Sequence, residues 1–359
     1  MKICRKCVLP ETFPGIRFND EGECNYCQDF KGKKNLEQRK LQYRSKFEKL
    51  ILEYKGKANY DALLSYSGGK DSTYTLSLLK KQYGLKILVF TFDNGFLPDQ
   101  TFRNIRNVVE KLGVDHIFFK PNFHILRKIF LECSKKNIFP DTTLSRASTI
   151  CTACMAIVKF SALRLALEKG IPFMIYGWSP GQIPITSSIM KNNAKMVRVM
   201  QESLARPLFA VAGDDIKPYF LENEHFREHN FFLYNISPLA FLNYDETMIL
   251  KEMAELGWKA PPDVDANSTN CLLNSFANVV HKERYGFHPY AFELAKLVRE
   301  GYKDREHALI VLRQREKYRT YNFVSRKLKE EEQTRNKRTK YQKIRGRSKC
   351  LEPGKGRFF

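Results

Sequence analysis

The sequence lacks several features that would assign it to a membrane-bound or exported class. No uninterrupted apolar run reaches the roughly 18 residues that a membrane helix needs, and the charged first residues contain no apolar signal core. We therefore expect a cytoplasmic protein without a membrane span. The HExxH, GxxxxGK[ST] and GxGxxG motifs are also absent, which argues against a zincin, a Walker A loop and a dinucleotide-binding loop.

The sequence is short of acidic residues, because 39 Asp and Glu stand against 61 Lys and Arg, a net charge of +22. Much of the excess is local, with +9 in residues 326–359 and +7 in residues 31–57. Such charge attracts RNA, an acidic membrane surface or an anionic substrate. It is equally typical of a solvated helix face and a disordered tail. Charge alone does not decide between these interpretations.

The chain has 359 residues, 43% of them hydrophobic, so a sizeable core can form. Short apolar runs alternate with helical patterns, which favours βαβ units and a doubly wound parallel α/β sheet. The predicted strands are 61–66, 87–92, 116–119 and 173–176, and the predicted helices between and after them are 72–82, 101–112 and 156–169.

Composition and periodicity divide the chain into five parts. They are a cysteine module (1–30), a basic amphipathic helix (31–57), the α/β domain (58–250), a helical region (251–325) and a basic, disordered tail (326–359).

The sharpest motif is Ser67-Gly68-Gly69-Lys70-Asp71-Ser72, which follows a predicted strand and opens a predicted helix. The two glycines allow a tight turn whose N–H groups face an anion, and the helix N-terminus adds a positive dipole end. Lys70 can neutralise phosphate charge, and the two serines can donate hydroxyl hydrogen bonds. Asp71 can cap the helix or help to hold Mg²⁺. The alternative is a structural turn with a helix cap.

This motif resembles the SGGxDS signature of the PP-loop ATP pyrophosphatases. The resemblance implies that residues 67–72 hold the β,γ-phosphates of Mg-ATP, with Lys70 and Asp71 as catalytic groups. It also implies adenosine near Phe92 and Asp93, and the α-phosphate near Gly177. Members of that family adenylate a substrate, release pyrophosphate and let a nitrogen or sulfur nucleophile displace AMP. Many relatives carry GHxxDD after the fourth strand, whereas residues 177–182 here read GWSPGQ.

Two groups of cysteines have ligand-like spacing. Cys4, Cys7, Cys24 and Cys27 form a C-x2-C-x16-C-x2-C array, which suits tetrahedral Zn²⁺ in a module with little core of its own. The second group, Cys151, Cys154 and the distant Cys271, resembles the three-cysteine [4Fe-4S] site of tRNA-thiolating PP-loop enzymes. The resemblance implies an open iron that carries sulfide. A redox pair or a second zinc site with a further ligand are the alternatives.

The two ends of the chain resemble the N-acetyl sugar amidotransferases, a PP-loop family of surface-polysaccharide pathways. The similarity lies in residues 4–27 and in the segments 268–271, 284–287, 298–301 and 304–309. It implies transfer of ammonia, supplied by a glutaminase partner, to an N-acetylated amino sugar.

Two short segments favour sulfur transfer to tRNA or a small molecule instead. They are Arg206-Pro207-Leu208 and Ser237-Pro238-Leu239, which resemble the RPL segment that thiolation enzymes place before a helix. A third hypothesis is a nucleotide- or RNA-binding protein that only senses ATP. The basic tail is the segment expected to contact RNA or an acidic surface.

Overall fold

The computed structural model describes residues 2–227, 233–265, 268–315 and 317–329. At its centre is a six-stranded sheet of order β3-β2-β1-β4-β6-β5. All neighbouring strands run parallel except β5, which pairs antiparallel with β6 at the edge. The predicted doubly wound α/β sheet is confirmed, with an antiparallel edge strand added. The strands are β1 (Ala62–Ser65), β2 (Ile87–Phe92), β3 (Asp115–Phe119), β4 (Phe173–Tyr176), β5 (Ile189–Lys191) and β6 (Tyr234–Ile236).

The sheet is accompanied by α-helices, most of which cover its two faces. They are α1 (Asn25–Gln28), α2 (Lys33–Tyr54), α3 (Lys70–Lys81), α4 (Asp99–Leu112), α5 (Phe123–Lys135), α6 (Thr149–Glu168), α7 (Ala194–Ala212), α8 (Glu246–Glu255), α9 (Leu273–Tyr285), α10 (Ala291–Glu300) and α11 (Arg305–Arg313). Residues 318–329 form a further helix. Short 3-10 segments occupy Asp141–Thr143, Ile185–Ser187, Gly213–Tyr219, Asn223–Phe226 and Pro238–Ala240.

The alternation of side chains along β1 divides the interior into two cores. Leu63 packs into a core with α5, α6, α7 and α9, whereas Ala62 and Leu64 pack into a second core with α2, α3, α4 and α8. Successive side chains on a strand point to opposite faces, so a strand covered on both faces reads as a continuous apolar run.

Because β1, β2 and β4 run parallel, their carboxyl ends meet at one edge of the sheet. This is the edge at which open α/β sheets bind ligands.

A third core joins the two ends of the described chain. The N-terminal cysteines and Phe13 pack against Phe287 and the apolar faces of α10 and α11. Arg305 at the start of α11 donates to the carbonyl oxygens of Cys7 at 3.0 Å and Cys4 at 2.9 Å. The cysteine module and the C-terminal helices thus form one packed unit, although the sequence patterns suggest two separate parts.

Two predicted boundaries differ from the structure. The helix predicted over 156–169 begins at Thr149, because the Ser148 hydroxyl accepts a hydrogen bond from the Cys151 N–H and caps it. The helix over 318–329 runs into the predicted tail, and its Val324 and Leu328 are fully buried in the α5–α6–α7 core. Residues 326–329, the first four of the predicted tail, are therefore helical. The predicted tail from 330 onward lies outside the described residues.

Only one of the two RPL-like segments precedes a helix. Pro207 lies inside α7, so Arg206-Pro207-Leu208 does not precede a helix as expected. Pro238 begins a 3-10 turn ahead of α8, and the Asp245 carboxylate caps α8 by accepting from the Met248 N–H.

Among the described residues, one helix is long and apolar enough to cross a membrane, judged by length and composition alone. It is α6, and 56% of its most apolar window is buried inside the fold. It packs among α5, α7, α9 and the sheet, as a core helix of a globular protein does.

Candidate functional site: a phosphate loop beneath C-terminal elements

The loop that follows β1 has the geometry expected of an anion cradle. Gly68 adopts a φ of +72°, and a Cβ there would lie 2.7 Å from Ile105 Cγ1, so only glycine fits. The Ser67 and Ser72 hydroxyls are hydrogen-bonded to each other at 3.0 Å, and the Gly69 N–H donates to Ser67 Oγ at 3.3 Å. Helix α3 begins at Lys70, so its first N–H groups face this turn.

Lys70 extends from the loop into a network of polar groups. Its Nζ donates to Glu246 Oε1 at 2.8 Å and to the Tyr244 hydroxyl at 3.1 Å, and it lies 3.4 Å from Asp71 Oδ1. Burial works to lower the pKa of Lys70, but the charges of Asp71 and Glu246 outweigh burial and raise it. Burial likewise works to raise the pKa of Glu246, and the charges of Lys70 and Lys303 lower it to about 2. Lys70 is therefore a firmly charged group, as phosphate binding requires.

The segment Ser268–Cys271 crosses over the phosphate loop. The backbone N–H of Lys70 donates to Thr269 Oγ1, so an oxygen atom accepts from the loop where a phosphate oxygen is expected. Trp258 Nε1 donates to the Gly68 carbonyl oxygen at 3.0 Å and fixes the loop from the same side. The C-terminal region is thus part of the site, which the sequence motifs alone did not establish.

Phe92, Asp93 and Gly177 all lie at the carboxyl ends of strands, as predicted. Phe92 ends β2, and the buried Asp93 accepts a hydrogen bond from the Gly95 N–H at 2.8 Å. A Cβ on Gly177, which follows β4, would lie 2.4 Å from the Ser72 Cα. The end of β4 therefore touches the backbone of the phosphate-loop helix.

Three cysteines that are far apart in sequence gather at this end of the sheet. Asn94 Nδ2 contacts the Sγ atoms of Cys271 at 3.4 Å and Cys154 at 3.6 Å, so the two sulfurs are no more than about 7 Å apart. Cys151 Sγ contacts Asn274 Oδ1 at 3.2 Å. Burial raises the pKa of Cys151 to about 12, and it also raises the pKa of Cys154 and Cys271. Cys271 lies two residues after Thr269, so one segment contacts both the loop and the thiols.

The four N-terminal cysteines are buried and close together. Their Sγ atoms all lie within 4.8 Å of one another, including Cys7–Cys24 at 3.7 Å and Cys4–Cys27 at 3.9 Å. A tetrahedral ion with bonds of ~2.3 Å needs sulfur pairs about 3.8 Å apart. The four thiols therefore have the spacing of a structural zinc site. Of the metal-binding side chains in the described part of the chain, these four alone form so tight a group.

Sequence reasoning missed Glu293 on α10. Its Oε1 accepts from Ser179 Oγ at 2.7 Å, in the GWSPGQ segment that follows β4. An acidic residue in the first turn of a helix reads as an ordinary partner of the helix dipole, so no signal marked it.

Comparison with known proteins shows which families the chain is similar to. Residues 61–225 match the family model of the phosphoadenosine phosphosulfate reductase domain. An uncharacterized protein of Methanocaldococcus jannaschii is 25% identical over 280 residues, which are 75% of this chain and 80% of that protein. A glutamine-hydrolyzing GMP synthase of Wigglesworthia glossinidia brevipalpis is 30% identical over 80 residues, 22% of this chain and 15% of that enzyme.

Among solved structures, the U34-tRNA thiolase NcsA of Methanococcus maripaludis, with its [4Fe-4S] cluster, aligns at a TM-score of 0.35 and 17% identity. The alignment covers 88% of this chain and 90% of the thiolase. The NMN synthetase of Francisella tularensis aligns at a TM-score of 0.35 and 14% identity, covering 82% and 94%. The strand–loop–helix at residues 62–81 and the family match over the surrounding segment agree. Residues 61–225 are thus similar to the phosphoadenosine phosphosulfate reductase domain, and the loop at residues 67–72 lies inside the matched segment.

Proposed function

We propose that the protein is an AMP-forming transferase that adenylates an acceptor oxygen with Mg-ATP and releases pyrophosphate. The observation that carries this proposal is the intact loop at residues 67–72, with Lys70 fully charged and the α3 N-terminus facing the same turn. An acceptor oxygen attacks the α-phosphorus, and the loop amides and Lys70 stabilise the charge that develops on the leaving pyrophosphate. Phe92 and Asp93 at the end of β2 bind the adenosine, and Gly177 lets the α-phosphate approach.

The nucleophile that we favour is nitrogen, and the acceptor class is an N-acetylated amino sugar. The two chain ends that resemble N-acetyl sugar amidotransferases pack together in the third core. One segment of that resemblance, Ser268–Cys271, contacts the phosphate loop through Thr269. A family-specific motif that lies on the nucleotide site supports a role in the reaction rather than in stability alone. Ammonia from a glutaminase partner is the proposed nitrogen source.

A second candidate, sulfur transfer to tRNA or a small molecule, is favoured by the three gathered thiols. The sulfurs of Cys154 and Cys271 both contact Asn94 Nδ2 and lie no more than about 7 Å apart. Three soft thiolate ligands gathered in this way suit a [4Fe-4S] cluster. Cys151, Cys154 and Cys271 would hold the cluster, which would supply a site for a sulfur atom. We propose separately that Cys4, Cys7, Cys24 and Cys27 hold structural Zn²⁺.

The first experiment measures AMP and pyrophosphate formation from Mg-ATP. Ammonium chloride replaces the glutaminase, and UDP-linked N-acetyl amino sugars are compared with bulk tRNA plus sulfide as acceptors. Amidotransfer predicts AMP formation that requires both the sugar and ammonium and is lost in Lys70→Ala. Lys251→Ala, on the exposed part of α8, is the matched control. AMP formation with tRNA and sulfide alone would replace nitrogen with sulfur as the transferred atom.

The second experiment measures iron, sulfide and zinc in protein purified without oxygen. About four iron per chain, lost in a Cys151→Ala/Cys154→Ala variant, supports the sulfur-transfer candidate. About one zinc and no iron, unchanged in that variant, supports ammonia chemistry. Cys133→Ala is the matched control, because this buried thiol belongs to neither group.

A further inference from the structure

Glu293 is held in place by close contacts with the segment that follows β4. Its carboxylate accepts from the Ser179 hydroxyl, and Ser179 itself is 1% exposed. The chain wraps closely around the Glu293 stem, since a Cβ on Gly181 would lie 2.7 Å from Glu293 Cγ. One turn later on α10, Lys296 Nζ donates to the carbonyl oxygens of Pro180 at 2.6 Å and of Ile183. Helix α10 therefore fixes the segment after β4 and the carboxylate together.

The Glu293 carboxylate lies near the phosphate loop and has no cationic ion-pair partner among the residues that the structure describes. It lies close enough to Asp71 and Lys70 for both charges to act on it. Lys70, however, is already bonded to Glu246 and Tyr244. No lysine or arginine in the described ranges makes an ion pair with Glu293. Such a carboxylate is not a structural ion-pair partner, and its protonation state is free to change.

An orphaned polar atom lies at the same strand end. The hydroxyl of Tyr176, the last residue of β4, is buried and has no hydrogen-bond partner among the described residues. Buried hydroxyls normally have a partner. The strand end that precedes Ser179 therefore presents a polar group that a bound molecule or a water molecule would satisfy.

The segment after β4 has no carboxylate of its own. Relatives with GHxxDD place two acidic side chains there, whereas residues 177–182 of this chain read GWSPGQ. Helix α10 packs in the third core, and its Glu293 is the acidic side chain that contacts this segment, through Ser179.

We propose that Glu293 is the proton-transfer residue of this site, accepting the proton that the incoming nitrogen nucleophile loses. The proposal rests on the proposed function and adds a named base to it. Burial, reinforced by the negative charge of Asp71, raises the pKa of Glu293 to about 7, while the Ser179 hydrogen bond works against that rise. A general base is most effective when its pKa lies near the operating pH.

Ammonia attacks the adenylated acceptor carbon with its lone pair and forms the C–N bond. The attacking nitrogen, now an ammonium group on a tetrahedral carbon, transfers its excess proton to the Glu293 carboxylate, which later releases it to water. The bond from that carbon to the AMP oxygen then breaks, and AMP leaves with the electron pair. No oxidant or reductant is needed.

The test compares Glu293→Gln with Glu300→Gln, a second glutamate on the same helix that pairs with Lys296 at 3.7 Å instead. Mg-ATP affinity is measured by calorimetry, and AMP formation is measured from pH 5.5 to 9 with a UDP-linked N-acetyl amino sugar and ammonium chloride adjusted to a constant concentration of free NH3. For Glu293→Gln we expect Mg-ATP affinity within about threefold of wild type and kcat lowered roughly 10²- to 10⁴-fold. In the same variant, the rate should no longer fall as the pH drops below 7. Glu300→Gln should keep both the rate and the pH profile.

Ser179→Ala provides a variant that keeps the carboxylate. The Ser179 hydrogen bond lowers the Glu293 pKa, so its removal should move the acid limb of the profile to higher pH with the plateau rate retained. A merely structural carboxylate would not move the limb. An unchanged rate and profile in Glu293→Gln would overturn the proposal. A loss of Mg-ATP affinity of tenfold or more in Glu293→Gln would also overturn it, and would make the carboxylate a magnesium ligand.

A separate readout keeps this proposal apart from the proposed function. Carbon-13 NMR of glutamate-labelled protein should show one side-chain carboxyl that titrates near pH 7, shifts on addition of Mg-ATP and vanishes in Glu293→Gln. If the wild type forms no AMP with any acceptor, the proposed function fails, and this titration still tests Glu293. The absence of such a signal would overturn the assignment of Glu293, whatever the acceptor.

Discussion

The backbone N–H of Lys70 donates a 3.0 Å hydrogen bond to the side chain of Thr269, 199 positions along the chain. This hydroxyl competes with any phosphate oxygen for the same N–H. We expect Thr269→Val to tighten Mg-ATP binding roughly two- to tenfold, because binding then no longer breaks a hydrogen bond worth about 0.5–1.5 kcal/mol. Calorimetric titration measures the change.

The control is Thr12→Val, the same substitution at a hydroxyl that donates to the Gly286 carbonyl oxygen away from the loop. It should leave the nucleotide affinity unchanged. Weaker binding in Thr269→Val would show that the hydroxyl contacts the nucleotide directly.

Gly177→Ala should damage the site through the backbone. The added methyl group would lie 2.4 Å from Ser72 Cα, in the first turn of α3, and no flexible side chain can move aside there. We expect a loss of at least about 2 kcal/mol in unfolding free energy and a measurable loss of Mg-ATP affinity. Urea denaturation and calorimetry give the two quantities.

Gly113→Ala is the control, because it adds the same methyl group at a glycine that makes no contact with the phosphate loop. Gly113 has a φ of +57° and no heavy atom within 4 Å of an added Cβ. This control should cost about 1 kcal/mol without changing nucleotide affinity. Equal behaviour of the two variants would mean that the contact between Gly177 and Ser72 does not shape the loop.

Loss of the proposed N-terminal zinc site should destabilise the C-terminal helices α10 and α11. Cys24→Ser removes one of four thiols, and we expect zinc content to fall from about one per chain to near zero. Because α10 and α11 pack on this module, they should gain hydrogen exchange and protease sensitivity before the central sheet does. Cys133→Ala should retain the zinc. Unaltered exchange in α10 would contradict the coupling.

His281 should make the protein sensitive to mild acid. It is 1% exposed, and burial, with help from the nearby His288 and Arg284, lowers its pKa to about 4. The unfolded chain binds a proton near pH 6.5 and the folded chain does not, so stability is complete above pH 6.5 and falls as the pH drops toward 4. The full loss is roughly 3 kcal/mol at about 1.4 kcal/mol per pKa unit.

His281→Phe should flatten this dependence of unfolding free energy between pH 6.5 and 4. Its ring replaces an imidazole that already packs against Tyr285 and Phe287. His307→Phe, at an exposed position, should leave the wild-type slope in place. An identical slope in both variants would assign the acid sensitivity to other groups.

The central sheet was predictable from sequence, because its strands are buried on both faces and read as apolar runs. Strands 87–92 and 173–176 match β2 and β4 residue for residue. Strands β5 and β6 are three residues each and were not predicted, since so short a run carries too little periodicity. Helices α5 and α7 were also missed, and Pro207 inside α7 reads as a break rather than as helix.

The candidate site was also predictable only in part. The phosphate loop is contiguous, so its order of strand, loop and helix is visible in the sequence. Thr269, Tyr244, Glu246 and Glu293 reach it from far along the chain, and no local pattern gives that information. The placement of Cys151, Cys154 and Cys271 at one end of the sheet agrees with the predicted grouping, although the metal that they bind remains a prediction.

The third core also determines when the N-terminal module can finish folding during synthesis. Cys4 leaves the ribosome 301 residues before Arg305, whose guanidinium holds the carbonyl oxygens of the first cysteine pair. Through that interval the apolar face around Phe13 has no covering helix, and the thiols are open to oxidation or to competing metals. Early capture of the proposed Zn²⁺ by the nascent chain would protect the module, and any shortened chain that stops before α10 leaves this face uncovered.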